Sequence, residues 1–296
     1  MIAERLRKAV LQAAFEGKLT ERLLEDESGD KLISEIKSKF NIKHKLDNCN
    51  INCDLFDVPN NWSWATIGEV TTNNGQKKPD KKFTYIDIGS INNKKKILED
   101  NLNILKPNEA PSRARKIVKN FDVIYSTVRP YLMNLAIINR EIKPEPIVST
   151  GFAVFKTINE IMSNYVYYYL QSPFFNNYAN SSDNSKGVAY PAINDKKLLN
   201  APIPIPPIQE QKRIVEKLEI LLAEIDKLEQ DEKALKELED KFPERLKNAI
   251  MLSAIQGNLT ERITTKEESS LLKKKILDKK ENLFKKILLE KKSNIQ

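Results

Sequence analysis

The sequence is poor in the residues that most catalytic and metal chemistry needs. It has one histidine, His44, so imidazole acid–base work has a single candidate. Two cysteines, Cys49 and Cys53, in 296 residues exclude a disulfide framework and fit a reducing compartment. The 8 glycines are dispersed, so there is no glycine-rich cofactor loop and no phosphate-cradling G-x-x-x-x-G-K-[ST] loop. The Asn/Asp-Pro-Pro-aromatic signature of a methyltransferase is missing too. No apolar run approaches the length of a membrane span, and mean hydropathy is −0.50. The start, MIAERLRKAV, carries no apolar leader stretch, so a cytoplasmic location without membrane contact is expected. His44, Cys49 and Cys53 fall close together, but structural zinc wants four ligands at tighter cysteine spacing, so they read as incidental. Pro79-Asp80 is at most the beginning of a nuclease motif. The chain is expected to be no enzyme by itself and to hold no metal or cofactor of its own.

Charge is plentiful. There are 49 basic and 41 acidic residues, a net charge of +8. That favours a polyanionic partner, although a Lys-rich chain with solvated helices would carry the same number. Hydrophobic content of 40% sustains a core, and the length suits two units or one elongated body.

One stretch occurs twice. ERLRKAVLQAAFEGKLTER (Glu4–Arg22) returns as ERLKNAIMLSAIQGNLTER (Glu244–Arg262), offset by 240 residues, with 10 of 19 positions identical. In the first copy Ile2, Leu6, Ala9, Val10 and Ala13 recur at helical spacing and Gly17 stops the helix, predicting a helix over 2–15. A second helix is predicted over Asp30–Phe40, then a polar connector. From Val58 to Pro207 the residues are those of strands and loops: NWSWATIGEV, FTYIDIGSI, NFDVIYSTV, LAIIN and STGFAVFKT are predicted strands. SNYVYYYLQSPFFNNYA is a predicted helix and SSDNSKGVAYPAIN a loop. APIPIPPIQEQ holds the chain extended, and Pro207 opens a long helix to about Lys241.

In that helix Ile214, Leu221, Leu228, Leu235 and Phe242 fall seven apart, with Leu218 and Ile225 between them. This is a heptad seam, on the order of 50 Å long; the alternative is an amphipathic helix docked on a globular body. Glu232 and Glu239 interrupt it. After Pro243 the cap repeats as a short helix, followed by a Lys-rich amphipathic helix. That last helix suits solvent, or a membrane surface as the alternative. The expected architecture is an α/β (α+β) recognition domain with a long coiled-coil helix and repeated helical caps. Its expected divisions are 1–56 (cap and connector), 57–207 (recognition domain), 208–242 (spacer helix) and 243–296 (second cap, repeating 4–40).

Several ordered stretches carry a resemblance to a known family. They are VPNNWSWATIGEV (58–70), SRARKIVKNFDVIYSTVRPYL (112–132), STGFAVFK (149–156), GVAYPAI (187–193), PIPIPPIQEQKRIVEKLEILLAEIDKLE (202–229) and the cap LQAAFEGKLTE. The chain resembles the specificity (S) subunit of type I restriction–modification systems across nearly its whole length. The usual member has two target recognition domains and two long helices; here there is one of each, as in a half-size form. The resemblance implies a sequence-specific DNA-recognition subunit that positions modification (M) and restriction (R) subunits on a bipartite site in double-stranded DNA. Two copies would form a two-fold dimer through Ile214, Leu218, Leu221, Ile225, Leu228 and Leu235. S-adenosylmethionine and ATP with Mg would serve the partner subunits. A non-catalytic decoy, or the product of a silent cassette, is the alternative.

DNA binding needs phosphate contacts for affinity and base-edge contacts for sequence. The phosphate candidates are Lys77, Lys78, Lys81 and Lys82, then Lys94–Lys96, then Arg113, Arg115, Lys116 and Lys119; a solvated surface is the alternative for each cluster. The base-reading candidates are Asn73, Asn74, Gln76, Arg129, Asn134, Lys186 and Tyr190, with Tyr131 beside Arg129, because Arg, Asn and Gln can bond base edges bidentately. Arg129 reads equally as a structural arginine.

Overall fold

The computed structural model of the chain describes residues 2–23, 25–42, 55–181, 192–261 and 266–293. It divides into two compact units, Met1–Glu232 and Lys233–Gln296. The first begins with α1 (Ile2–Phe15) and α2 (Gly29–Phe40). Gly17 ends the first cap at φ +69, and a Cβ there would lie 2.3 Å from Pro59 Cγ. Only glycine fits both the left-handed backbone and that approach. Ser28 caps α2 by accepting from Lys31 N, and Asn41 closes it at φ 51.

The recognition domain follows as β1 (Ser63–Thr66), α3 (Ile67–Val70), β2 (Phe83–Ile86), β3 (Ile91–Asn92), β4 (Ile97–Leu98), β5 (Asn103–Leu105) and β6 (Ala114–Ile117). Then come β7 (Val123–Ser126), β8 (Leu135–Ile137), β9 (Pro146–Ser149), β10 (Phe152–Phe155), α4 (Glu160–Tyr169), α5 (Pro173–Asn180), α6 (Asp195–Leu199) and β11 (Pro202–Ile205). One sheet has the order β5-β2-β9-β6 and another β10-β7-β8; only β2 and β9 run parallel. β3 and β4 form a hairpin, and β1 pairs with β11. The architecture is mixed α+β. Strands β1, β2, β7, β8 and β10 lie within the predicted strand stretches, but the second half of NWSWATIGEV is the helix α3, and the single helix expected over 163–179 is two, α4 and α5, with Pro173 opening the second. β4, β5, β6 and β9 fall outside the predicted strands; in β6, ARKI puts two cations in four residues and hides the alternation.

PIPI becomes a strand because its prolines are two apart. In an antiparallel pair one residue's N–H and C=O point to the same edge. Ile203 and Ile205 therefore serve the ladder to β1, while Pro202 and Pro204 turn their missing donors away from it. Their carbonyls are taken from that outer side by α4: Tyr165 Oη donates to Pro204 O at 2.7 Å and Tyr169 Oη donates to Pro202 O. Both tyrosines also hold Phe15 of α1 edge-on, with ring centroids 5.2 Å apart. One core thus joins α1, α4, α5, β11 and the long helix α7 (Ile208–Ile255).

This core decides the heptad seam. Ile214 and Leu218 have no exposed surface and Ile225 is buried, all within the first unit. The docked-helix reading holds there, and these side chains are not free for a second copy. Leu221 and Leu228 are half-buried, and Leu235, in the second unit, is exposed. Glu232, which interrupts the seam, takes the amino end of α1: its carboxylate accepts from Ile2 N at 2.7 Å and Ala3 N at 3.2 Å. Arg7 pairs with Asp226 and Glu229 alongside.

Asp26, beyond the first cap, is half-buried as a residue, with its side chain 4% exposed, and takes a forked contact from Arg213 of α7. That hydrogen bond outweighs burial and holds the Asp26 carboxyl below its ordinary 3.8. The stabilisation is full above 3.8 and drains as pH falls through the lower folded value. Arg213→Met should cost about 1–3 kcal/mol at pH 7, since it leaves the covered carboxylate without its cation and with the Leu23 N–H as the one donor found among the described residues. Urea unfolding measures it; an unchanged midpoint would mean that the pair contributes nothing.

The second unit holds the end of α7, the turn at Gly257 (φ +72), and α8 (Lys266–Ser293). α7 runs past Pro243, where a break was expected. Proline removes the bond to the Glu239 carbonyl and crowds that carbonyl with its ring; both residues are exposed, so the carbonyl can tilt outward and bond water. In this unit Leu246, Ile250, Met251, Ile255 and Leu259 are all exposed.

Candidate nucleic-acid interface

Long-range pairing gathers loops that lie far apart in sequence. Residues 73–77 run beside β6: Lys77 N donates to Arg115 O at 2.8 Å and Ile117 N to Gly75 O at 3.2 Å. Thr150 N donates to Arg113 O at 2.8 Å. Gly151 O accepts from Thr127 N at 2.9 Å and from Thr127 Oγ1 at 3.0 Å. Ala192 bridges Val128, and Ile193 N donates to Thr127 O at 2.9 Å. Residues 129–133 are tied to the β3–β4 hairpin through Lys96. Segments 73–77, 113–117, 127–133 and 149–151, with the hairpin, are therefore linked one to the next. Gln76, Arg113, Arg115, Arg129 and Tyr131 lie along this series.

The candidates then divide by what their side chains already do. Arg113 is exposed, and among the described residues its guanidinium has no hydrogen-bond or ion-pair partner. Lys78, Lys82, Lys94 and Lys95 are likewise exposed and outside every ion pair found among the described residues. Lys81 and Lys119 are exposed as well, and so are Asn73 and Gln76. The Asn73 side-chain oxygen Oδ1 accepts from Gly75 N at 2.9 Å, which shapes the turn at Gly75 (φ +79). Tyr131 is 53% exposed. Arg129 is half-buried at φ 50, and Arg115 Nε donates to Ser112 O at 3.0 Å.

Others face inward, and the sequence reading of them is corrected. Asn134 is buried, so it offers no amide to a base edge. Asn74 donates to the Asp122 carboxylate, whose pKa burial pushes up to about 6 against the donors Lys119 N and Asn74. Lys116 Nζ donates to Phe152 O at 2.6 Å. Lys77 is paired with Glu145 and with Asp80, and its pKa is raised, chiefly by the Glu145 hydrogen bond. Lys96 donates to the Met133 carbonyl at 2.8 Å rather than standing in solvent. Lys186 and Tyr190, like His44, Cys49 and Cys53, lie outside the described residues. Among the described residues no three His, Cys, Asp or Glu side chains gather as metal ligands. Among them, too, no helix is long and apolar enough to cross a membrane. The Thr127–Gly151 junction was missed, because neither TV nor STG differs from an ordinary turn until the strands bring them together.

A cleft of about 120 Å³ lies beside residues 73–76, lined by Gln76, Lys116, Phe155, Asp195 and Leu199 among others.

Comparison with known proteins covers this same region. Residues 59–239 match the family described as type I restriction modification DNA specificity domain. The chain is 24% identical over 270 residues to the type I restriction enzyme EcoDI specificity subunit of Escherichia coli, covering 88% of this chain and 54% of that one. It is 28% identical over 272 residues to the EcoBI specificity subunit of the same organism, covering 88% and 51%. The chain thus spans about half the length of the curated relatives it matches. Among solved structures, the HsdS subunit from Thermoanaerobacter tengcongensis superposes with a TM-score of 0.54 at 31% identity, over 62% of this chain and 48% of that one. A chain from a structure titled for complex assembly and conformational transition of the type I R-M system gives a TM-score of 0.57 at 28% identity, over 71% and 52%.

Proposed function

This chain belongs to the type I restriction modification DNA specificity domain family, and on that premise we propose that it is the DNA-recognition subunit of a type I restriction–modification complex. The observation that carries the reading is the matched region itself: it contains the linked loops that present Arg113, Gln76, Arg129 and Tyr131. Arg113, Lys78 and Lys82 suit phosphates, and Arg129, Tyr131 and Gln76 suit groove edges. The chain is non-catalytic in this reading and works in the cytoplasm. Modification subunits using S-adenosylmethionine and restriction subunits using ATP with Mg dock on it.

The reading includes a second recognition domain, supplied by a second copy. The repeat supports it. In the first cap Leu11, Ala14 and Phe15 are buried in the core that α4, α5 and α7 share, Phe15 against the α4 tyrosines. Their counterparts Met251, Ala254 and Ile255 are exposed in the second unit. An apolar face of that kind marks an interaction surface. Two copies related by a two-fold axis would read two identical half-sites in opposite orientation.

The test is a methylation map of host DNA, with this gene beside its modification subunit and then deleted. A symmetric split motif of methyladenine that disappears on deletion is expected. An asymmetric split motif would replace the second copy with a different subunit. Unmethylated DNA, with soluble protein and an active partner, would leave a decoy that occupies modification subunits.

A further inference from the structure

The segment 129–133 is held in an unusual conformation. Pro130–Leu132 form a 3-10 turn, entered by Arg129 at φ 50 and left by Met133 at φ 50. Neither is glycine, and left-handed backbone at such residues persists only where the surroundings enforce it. Here the surroundings are identifiable. On the entry side, Ser126 Oγ donates to Val128 O at 3.0 Å and Thr127 is bonded to Gly151. On the exit side, Lys96 Nζ donates to Met133 O at 2.8 Å and reaches Leu132 O at 3.5 Å.

Lys96 is itself anchored. It sits at φ 59 in the β3–β4 turn, and its N–H donates to Asn92 O at 2.7 Å. The Asn92 side-chain oxygen accepts from Lys94 N at 3.2 Å and Lys95 N at 3.0 Å, closing the turn. The Lys96 carbonyl accepts from Tyr167 Oη of α4 at 2.9 Å. The amine thus enters the turn from a braced hairpin, with carbonyls as its only hydrogen-bond partners among the described residues. Its burial lowers the pKa to about 8, which sets it apart from a solvated lysine. Its neighbours Lys94 and Lys95 remain exposed.

We propose that Lys96 is a positioning residue, which locks the 129–133 turn so that Arg129 and Tyr131 meet DNA in one geometry. The role in DNA reading rests on the function proposed above; the lock does not. A lysine in a run of three reads as a phosphate contact, and this one is spent on fixing a loop. Reading precision depends on such fixed side chains, because a misplaced donor loses its discrimination between bases.

The experiment uses the full chain and compares Lys96→Met, Lys96→Arg and Lys94→Met. Hydrogen exchange without DNA reads the lock directly. The amides of Leu132 and Met133, which donate to Arg129 O and Pro130 O, should exchange about tenfold or more faster in Lys96→Met than in the wild type, with Lys96→Arg restoring part of the protection. Tyr167→Phe, which frees only the Lys96 carbonyl, should act in the same direction and provides a second variant should Lys96→Met fold poorly. DNA binding is then measured with the modification subunits present, on a duplex carrying the mapped motif and on the same duplex scrambled. Lys96→Met should lower the ratio of the two affinities about tenfold and leave the salt slope unchanged. Lys94→Met should leave that ratio unchanged and lower the salt slope by about one. Unaltered exchange in both Lys96→Met and Tyr167→Phe would overturn the lock. A salt slope reduced by about one unit with specificity intact would show a phosphate contact instead and overturn the positioning role. Wild-type protein that does not distinguish the two duplexes would defeat the DNA reading, while exchange still decides the lock.

Discussion

Truncating Phe15 to alanine should cost about 3–5 kcal/mol of stability, the range for a large buried ring. Truncating Ile255, its counterpart in the second repeat, should cost less than about 0.5 kcal/mol in the isolated chain. Both residues stand at the same place in a repeated helical sequence, so helix propensity does not separate them. Surroundings do: Phe15 is 1% exposed between Tyr165 and Tyr169, and Ile255 is 82% exposed. Losing Phe15 also loosens the two tyrosines whose hydroxyls hold β11, so the cavity cannot collapse cheaply. Denaturant unfolding of the two variants checks the pair of values. Near-equal losses would mean that Ile255 is covered in the isolated chain. Ile255→Asp extends the test to assembly: folding should be unaffected, and the mass by light scattering should fall from two copies to one. A dimer that persists would place the contact elsewhere.

The second large effect is on DNA affinity. With roughly 6–10 phosphates neutralised, binding should fall about 10³–10⁵-fold between 50 and 200 mM salt, because each contact releases a condensed counterion. Arg113→Ala should lower the slope of log K against log salt by about one, since its guanidinium is exposed and uncommitted. Lys116→Met should leave the slope unchanged, since that amine is spent on the Phe152 carbonyl. The contrast matters because both lie in one stretch, SRARK, and a reading by charge treats them alike. Binding that stays flat across this salt range would rule out the phosphate-contact account and favour the decoy.

Much of the fold was legible because local physics decides it. The helix over 2–15 follows from apolar spacing and its stop at Gly17. Strands β1, β2, β7, β8 and β10 follow from β-branched and aromatic runs. PIPIPP marks an extended segment before a helix, since proline tolerates little else. The repeat at offset 240 and the family resemblance are also properties of the sequence alone. The candidate site was legible as a set of segments, with Arg113, Gln76, Arg129 and Tyr131 on loops that the strands do bring into series.

What the tertiary structure decided is which of these residues have neighbours. Periodicity defines an apolar face and does not say what covers it, so one repeat could be buried in the core while its copy stands in solvent. The same ambiguity allowed Ile214 and Leu218 to read as a seam for a second chain, when the core of this one takes them. For polar residues the deciding contacts are between segments far apart in sequence. Asn74 meets Asp122 across 48 residues, Lys116 meets Phe152 across 36, and Lys96 meets Met133 across 37. A lysine's charge is written in the sequence, but its use depends on whether a carbonyl arrives to take it, and only the folded chain brings that carbonyl there.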